Sequence, residues 1–196
     1  VTPDKELIDN WTWDTFVQVA EKCAKAGHPF GLGLSTCTDS INVAGAVFAA
    51  HGAELVNAKG DITVNSDATK QVLEWYTRLA KSMSENVYSY DNASNNKEFV
   101  SGHASLIMNP PSAYAVAKRD KPEIARQTWI FSSPKGPKGR FDPAAYYYWG
   151  IWKFSKNISA AKALLTYLAQ RETQERMANA ASGFDIPPFA SMMDFK

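Results

Sequence analysis

The sequence predicts an α/β fold built from two units. Segments whose apolar residues recur at helical spacing alternate with short apolar runs that are typical of buried strands. Residues 132–143 interrupt this alternation with a stretch dense in Pro, Gly and Lys, which predicts a connector with little structure of its own. The chain has 196 residues, of which 45% are hydrophobic and 21% charged, and it is therefore long enough to bury a sizeable core.

The first predicted elements are two helices with a short strand between them. Residues 1–10 form a polar lead-in, and Thr12 is a good N-cap for a helix over residues 12–26. Residues 30–34 (F-G-L-G-L) predict a short buried strand whose glycines allow another backbone to approach closely. A second helix is predicted over residues 39–51, because apolar residues continue up to a glycine that ends it.

A hairpin and a long helix follow. Residues 54–56 and 62–64 are predicted strands on either side of Lys59-Gly60, which suits a tight turn. Ser66 is the predicted N-cap of the next helix. Its inner apolar stripe is expected to consist of Val72, Leu73, Tyr76, Leu79, Ala80 and Met83.

The run from residue 95 to 120 places polar residues at the end of a predicted strand. A short helix and a buried strand, residues 104–108, precede Asn109-Pro110-Pro111, where the prolines cannot continue a strand. A new helix then begins at Ser112. Because ligands of open α/β folds bind at the carboxyl ends of strands, we expect Asn109, Ser112 and Tyr114 to lie near a ligand.

The remaining elements belong to the region around and after the connector. A strand is predicted at residues 129–131 and an aromatic-rich strand at residues 144–154. A helix is predicted after Asn157 and a shorter one at residues 174–180. Tyr147, Tyr148 and Trp149 alternate along the aromatic strand, so one of its faces is expected to be core.

Charge and cysteine content argue against several classes of function. The chain carries 21 Lys and Arg against 20 Asp and Glu, without long like-charge runs, so nucleic-acid binding has no electrostatic support. No apolar stretch approaches the ~20 residues needed to span a bilayer. The three His lie far apart, so neither a metal nor a cofactor is expected. Cys23 and Cys37 are more consistent with two free thiols than with a disulfide.

Five segments, taken in order, carry a resemblance to a known family. They are T-W-D-T-F, A-A-H-G-A-E-L-V, I-T-V-N-S-D-A-T-K-Q-V-L-E-W-Y, F-V-S-G-H-A-S-L-I-M-N-P-P-S-A-Y and W-G-I-W-K-F-S-K-N-I-S-A-A-K-A-L-L-T-Y-L. Together they are similar to the extracellular solute-binding proteins of ABC importers, in the large sugar-binding group that includes maltose-binding protein. The sequence departs from that pattern at Pro110, at Ser112 and at the tyrosines 146–148, all on the ligand side.

The resemblance implies a type II periplasmic-binding-protein fold with two lobes joined by a hinge. Residues 12–132 would form most of lobe two, residues 133–143 a hinge connector, and residues 144–196 a remnant of lobe one. The first half of lobe one would lie upstream of this sequence. The chain is therefore expected to be a fragment that exposes apolar surface and favours self-association.

The resemblance also implies the ligand contacts. Asp39, Ser40 and Asn42 would begin a helix that faces the interlobe cleft, although capping explains Asp39 and Ser40 equally well. The other expected contacts are Tyr90, Asn109, Ser112, Tyr114, Tyr148 and Trp149. Structural alternatives are that Asn109 satisfies backbone groups at the Pro-Pro turn, that Ser112 caps its helix and that Tyr114 is core.

The leading hypothesis is a binding protein without catalytic activity. It would capture a small solute, a carbohydrate, in the periplasm or outside the cell and deliver it to an ABC permease of the inner membrane. One alternative is a carbohydrate-active hydrolase, for which Asp39 and Asp142 are the only pair of acids to nominate. Another is an inactive fragment of a binding protein.

Overall fold

Helices dominate the computed structural model, which describes residues 4–143, 147–184 and 187–194. The chain divides into two compact units, Val1–Ala144 and Ala145–Lys196. In chain order the α-helices are α1 (Lys5–Asp9), α2 (Trp13–Lys25), α3 (Thr38–His51), α4 (Asp67–Ala80), α5 (Ser94–Val100), α6 (Ser112–Asp120), α7 (Pro122–Gln127), α8 (Ile158–Leu168) and α9 (Arg171–Ala180). Two 3₁₀ helices span Glu85–Ser89 and Ala190–Met192, and a small hairpin pairs β1 (Lys135–Gly136) with β2 (Gly139–Arg140).

Side-chain caps confirm where the long helices of the first unit begin. The backbone N–H of Thr15 donates to Thr12 Oγ1 at 3.1 Å, which caps α2. The N–H of Thr69 donates to Ser66 Oγ at 3.2 Å, which caps α4 in the same way. Helix α3 ends as predicted, at a left-handed Gly52 with φ of 74°. The polar lead-in contains a short helix, α1, that the sequence did not predict.

The strands predicted around the candidate site pair only at single points. Gly31 forms a parallel bridge with Ile107, and its N–H donates to the carbonyl oxygen of Leu106 at 2.9 Å. The segments 30–34 and 104–108 are therefore neighbours, but the pairing does not extend into a continuous ladder. The close approach of the two backbones explains why position 31 is a glycine, because a Cβ there would lie 3.1 Å from the Cβ of Ala104. The predicted hairpin is confirmed by an antiparallel bridge between Val56 and Ile62.

The connector is more ordered than its composition predicted. Residues 129–131 form no strand, and residues 135–140 form the β1–β2 hairpin instead. The hairpin packs against the rest of the first unit, where the N–H of Lys135 donates to the carbonyl oxygen of Trp11 and that of Lys138 to the carbonyl oxygen of Ala50, each at 2.9 Å. The expectation of an unstructured connector was wrong, because neighbouring carbonyl groups satisfy its backbone donors.

Aromatic rings fill the core of the first unit. Trp13 and Trp75 meet edge to face, with centroids 5.2 Å apart, and Phe16 meets Phe30 in the same way at 4.9 Å. The buried face of α4 consists of Thr69, Val72, Trp75 and Leu79. Leu73, which was predicted on this face, is 57% exposed, because Trp75 takes the inward position.

The second unit contains α8 and α9, and α9 begins at Arg171, earlier than predicted. Ala144, Ala145 and Tyr146 of the predicted aromatic strand lie outside the described residues. Residues 147–154 form no strand, and none of them is buried. The expectation of a core face was therefore wrong, because no described segment pairs with this stretch. Helix α8 also has no buried residue. Within the described ranges, no helix is long and apolar enough to cross a membrane.

Candidate ligand-binding site

The first turn of α3 contains two predicted contact residues, Asp39 and Ser40, and neither caps the helix. The N-cap is Cys37, whose side chain makes no capping hydrogen bond. Ser40 is 9% exposed, and its Oγ donates to the carbonyl oxygen of Gly33 at 2.6 Å. The Cys37 Sγ lies 2.8 Å from the same Oγ. Ser40 therefore ties α3 to the 30–34 segment, and the capping alternative was wrong for both residues.

Asp39 is partly buried beside the residues that lead into α5 and its first turn. Its backbone N–H donates to Asn92 Oδ1 at 3.2 Å, so a residue from a distant loop satisfies this free donor of the helix. Its Oδ2 lies 3.5 Å from Asn95 Nδ2. Burial raises the pKa of the Asp39 carboxyl group, and the hydrogen bond from Asn95 opposes this shift. A carboxylate held in this way is an available acceptor for a hydroxyl group.

Asn95, on α5, joins the neighbouring segments. Its side chain is fully buried, with 2% of the residue exposed. Its Nδ2 donates to the carbonyl oxygen of Met108 at 3.0 Å and to Asn109 Oδ1 at 2.9 Å. Sequence reasoning did not identify this residue as functional. The only indication was that three Asn stand close together, at positions 92, 95 and 96, around the start of a predicted helix.

Asn109 and Ser112 come together at the Pro-Pro turn that begins α6. Asn109 Nδ2 donates to the carbonyl oxygen of Pro110 at 2.8 Å and to Ser112 Oγ at 3.3 Å. Asn109 therefore does satisfy a backbone group at the turn, as the structural alternative proposed. Ser112 is the first residue of α6 and not its cap, because Pro111 holds the N-cap position without a side-chain bond. We call Asp39, Asn95, Asn109 and Ser112 the polar rim.

The other predicted contacts of the first unit differ in exposure. Asn42 and Tyr114 are half-buried, on α3 and α6 respectively. Tyr90 is only 9% exposed, and its carbonyl oxygen accepts a hydrogen bond from Ser35 Oγ at 2.6 Å. Burial raises the pKa of Tyr90, the Ser84 hydroxyl lowers it, and the Glu98 carboxylate raises it further. Tyr90 therefore packs among these groups within the first unit.

Tyr148 and Trp149 belong to the second unit and are 90% and 62% exposed. Asp142, named for the hydrolase alternative, accepts the backbone N–H of Ser133 at 3.3 Å. Its carboxylate therefore has a local structural role beside the hairpin. The described residues contain no group of three or more His, Cys, Asp or Glu side chains placed to hold a metal ion.

A separate surface groove lies between α2, α4 and β1. It has a volume of about 470 Å³ and is lined in part by Trp13, His51, Trp75 and Lys135. Asp14 and Arg78, which also line it, pair with each other across 2.5 Å, so their charges are already compensated. The groove contains no residue of the polar rim.

The chain belongs to the bacterial extracellular solute-binding protein family, whose sequence model matches residues 2–194. This is a family of binding proteins and not a family of enzymes. No curated protein sequence matches the chain.

Solved structures confirm the predicted periplasmic-binding-protein fold. The maltose-bound structure of T. maritima MalE3 is similar, with a TM-score of 0.80 and 24% identity over 96% of this chain and 51% of that one. A putative oligosaccharide periplasmic-binding protein from Synechococcus sp. MITs9220 has a TM-score of 0.71 and 17% identity over 93% of this chain and 46% of that one. Its zinc complex has a TM-score of 0.67 and 18% identity, covering 88% and 43% of the two chains. The chain thus spans about half the length of the solved structures it matches.

Proposed function

We propose that this chain is part of the substrate-binding component of an ABC importer, which captures a carbohydrate for delivery to an inner-membrane permease. Residues 12–132 would form most of lobe two, residues 133–143 the hinge connector and residues 144–196 part of lobe one. The site of action would be the periplasm or the cell exterior. Family membership and the maltose and oligosaccharide neighbours support this proposal.

The polar rim is the observation that carries the proposal. It gathers a carboxylate, two amides and a hydroxyl from three separate segments around the start of two helices, α3 and α6. A hydroxyl-rich solute needs both acceptors and donors, and Asp39 and Ser112 supply one of each. Helix N-termini add further donors and partial positive charge, which suit the oxygen atoms of a sugar.

Aromatic residues of the second unit are the other proposed solute contacts. Tyr148 and Trp149 present exposed aromatic rings, which are suited to stacking on the apolar face of a sugar ring. Closure of two lobes raises affinity only through contacts that both lobes make with the solute. The chain by itself is therefore expected to bind weakly. The exposed Trp152, Leu164 and Tyr167 would favour self-association of the isolated chain.

The candidate functions can be distinguished by testing the full-length protein with maltose, longer malto-oligosaccharides and unrelated glycans. The melting temperature and the release of products are measured for each glycan. A rise in melting temperature without product formation supports a binding protein. Release of shorter sugars would instead support the hydrolase alternative. Absence of any shift across the panel would contradict carbohydrate binding.

The contribution of lobe one can be tested by Tyr148→Ala in the full-length protein. Loss of a stacking ring is expected to weaken sugar binding about tenfold while leaving the melting temperature unchanged. Tyr88→Ala is the matched control, because Tyr88 is also exposed, at 66%, but lies in the first unit. Unchanged affinity of the Tyr148 variant would contradict this role.

A further inference from the structure

Backbone carbonyl oxygens fix the orientation of both amides in the polar rim, because a carbonyl oxygen can only accept hydrogen bonds. The Asn95 atom 3.0 Å from the Met108 carbonyl must be the donor Nδ2. The Asn109 atom 2.9 Å from that Nδ2 must accept, so it is Oδ1. Asn109 Nδ2 then faces the carbonyl oxygen of Pro110 at 2.8 Å, which again has the correct polarity. The two amides therefore form a hydrogen-bond chain with one direction.

This direction determines what Ser112 offers to a solute. Asn109 Nδ2 lies 3.3 Å from Ser112 Oγ. An amide nitrogen can only donate hydrogen bonds, so Ser112 Oγ is the acceptor at that contact. The single hydrogen of its hydroxyl group is then left to donate to a ligand. Ser112 is half-buried, so its hydroxyl group is within reach of a solute at the rim.

The Asp39 carboxylate can still accept a hydrogen bond from a solute. Asn95 has two amide hydrogens, and its short contacts to Met108 and Asn109 use both of them. The Asp39 Oδ2, at 3.5 Å, receives only a weak share of one hydrogen. The hydroxyl groups of a solute can therefore donate to Asp39 and accept from Ser112, which matches the donor and acceptor character of sugar hydroxyl groups.

We propose that Asn95 is a positioning residue that sets the hydrogen-bond direction of the polar rim, so that Ser112 donates to, and Asp39 accepts from, the hydroxyl groups of a sugar. The proposal rests on the proposed function for its ligand, but the orientation of the amides is a property of the protein alone. Asn95 itself is buried and acts through Asn109.

Asn95→Asp tests this in the full-length protein with little change in side-chain volume. A carboxylate at position 95 only accepts, so the Asn109 amide is expected to turn and direct its Nδ2 towards it. Ser112 would then donate inward to Asn109 and lose its donor for the solute. Maltose binding, measured by calorimetry, is expected to weaken about tenfold. Asn86→Asp, the same substitution at an exposed asparagine in the 3₁₀ helix Glu85–Ser89, is the control and should retain binding.

A double-mutant cycle separates positioning from general destabilisation. Ser112→Ala should also weaken maltose binding, and Ser112→Thr, which keeps the hydroxyl, should restore it. If Asn95 acts through Ser112, the Asn95→Asp substitution should cost little further affinity in the Ser112→Ala background. Fully additive losses would overturn the proposal.

An NMR measurement tests the amide orientation without any ligand. A coupling across the hydrogen bond from Asn109 Nδ2 to the Pro110 carbonyl is expected in the parent protein and in Asn86→Asp, and its loss is expected in Asn95→Asp. If Asn95→Asp does not fold, Asn95→Ala removes the same donors and is expected to lose the coupling too. If the parent protein does not bind maltose, this result contradicts the proposed ligand and leaves the amide orientation to be decided by the coupling. Retention of the coupling in a folded Asn95 variant would overturn the role of Asn95.

Discussion

The indole Nε1 of Trp75 donates a 2.9 Å hydrogen bond to the carbonyl oxygen of Trp13 inside the first unit. The bond joins the middle of α4 to the first turn of α2, although the two residues are 62 positions apart. The same two rings meet edge to face, and Trp75 is 4% exposed. One side chain therefore supplies both packing and a polar contact between these helices.

Trp75→Phe is expected to lower the free energy of unfolding by about 1–3 kcal/mol. The substitution removes the hydrogen bond to Trp13 and leaves part of a ring-sized space unfilled. Urea denaturation followed by circular dichroism measures the change. Trp129→Phe is the matched control in the same unit, because Trp129 is 49% exposed, and its effect should stay within about 0.5 kcal/mol. Equal losses for the two variants would contradict the role assigned to Trp75.

Two Gly→Ala substitutions are expected to change stability in opposite directions. At Gly136, in β1, a Cβ would lie 2.5 Å from the carbonyl oxygen of Ala50, so the hairpin would have to move away from α3. Gly136→Ala should therefore destabilise the protein by about 1–3 kcal/mol. At Gly45, in α3, a Cβ meets nothing within 4 Å, and Gly45→Ala should stabilise the helix by up to about 1 kcal/mol. Melting temperatures that shift in the same direction would show that the hairpin does not dock as described.

Cys37 is expected to react with iodoacetamide faster than Cys23. Burial raises the pKa of the Cys37 thiol, but the Ser35 and Ser40 hydroxyl groups outweigh it and lower the pKa, because they can turn from the Tyr90 and Gly33 carbonyl oxygens to donate to the thiolate. Burial raises the pKa of Cys23. Both thiols are free and half-buried, so the thiolate fraction and not exposure should decide the rates.

Peptide mapping by mass spectrometry measures the two labelling rates at a pH of about 7.5, below the ordinary thiol pKa. Cys37→Ser, as the control, should leave one slowly reacting thiol. Faster labelling of Cys23 than of Cys37 would contradict the hydrogen-bond geometry at the start of α3.

The sequence was sufficient to predict most helices, because their signals are local. Thr12 and Ser66 cap α2 and α4 through residues three positions away, and Gly52 ends α3 by its own backbone conformation. The turn at Asn109-Pro110-Pro111 was equally visible, since proline excludes a continued strand.

The parts that the sequence did not predict depend on distant partners. Asn95 is important because Met108 and Asn109 fold against it, and nothing in its immediate neighbourhood indicates this. The hairpin at residues 135–140 is ordered by carbonyl groups of Trp11 and Ala50. Ser40 also has the residue type of a cap, but its hydroxyl group donates to the carbonyl oxygen of Gly33, which lies seven positions earlier and outside the helix.

Asp39→Asn is expected to change the pH dependence of stability. Burial raises the pKa of Asp39 in the folded protein above its ordinary value, so the folded state binds this proton more tightly than the unfolded state. The contribution of Asp39 to stability is therefore present at low pH and is lost as pH rises from the unfolded pKa to the folded pKa. Asparagine does not titrate. The melting temperature of the variant minus that of the parent should therefore increase as pH rises through this window.

Melting temperatures of parent and variant between about pH 3 and pH 7 measure this difference. Asp91→Asn is the matched control, because the Ser94 hydroxyl group and the backbone N–H of Ala93 donate to this exposed carboxyl group and lower its pKa. That variant should lose stability relative to the parent as pH rises, which is the opposite sign. If Asp39→Asn shows the same sign as Asp91→Asn, burial does not dominate at Asp39, and Asp39 is a stabilising helix charge. If the signs differ, the protein keeps a carboxylate at the rim at a cost in stability, as expected for a group retained to bind a ligand.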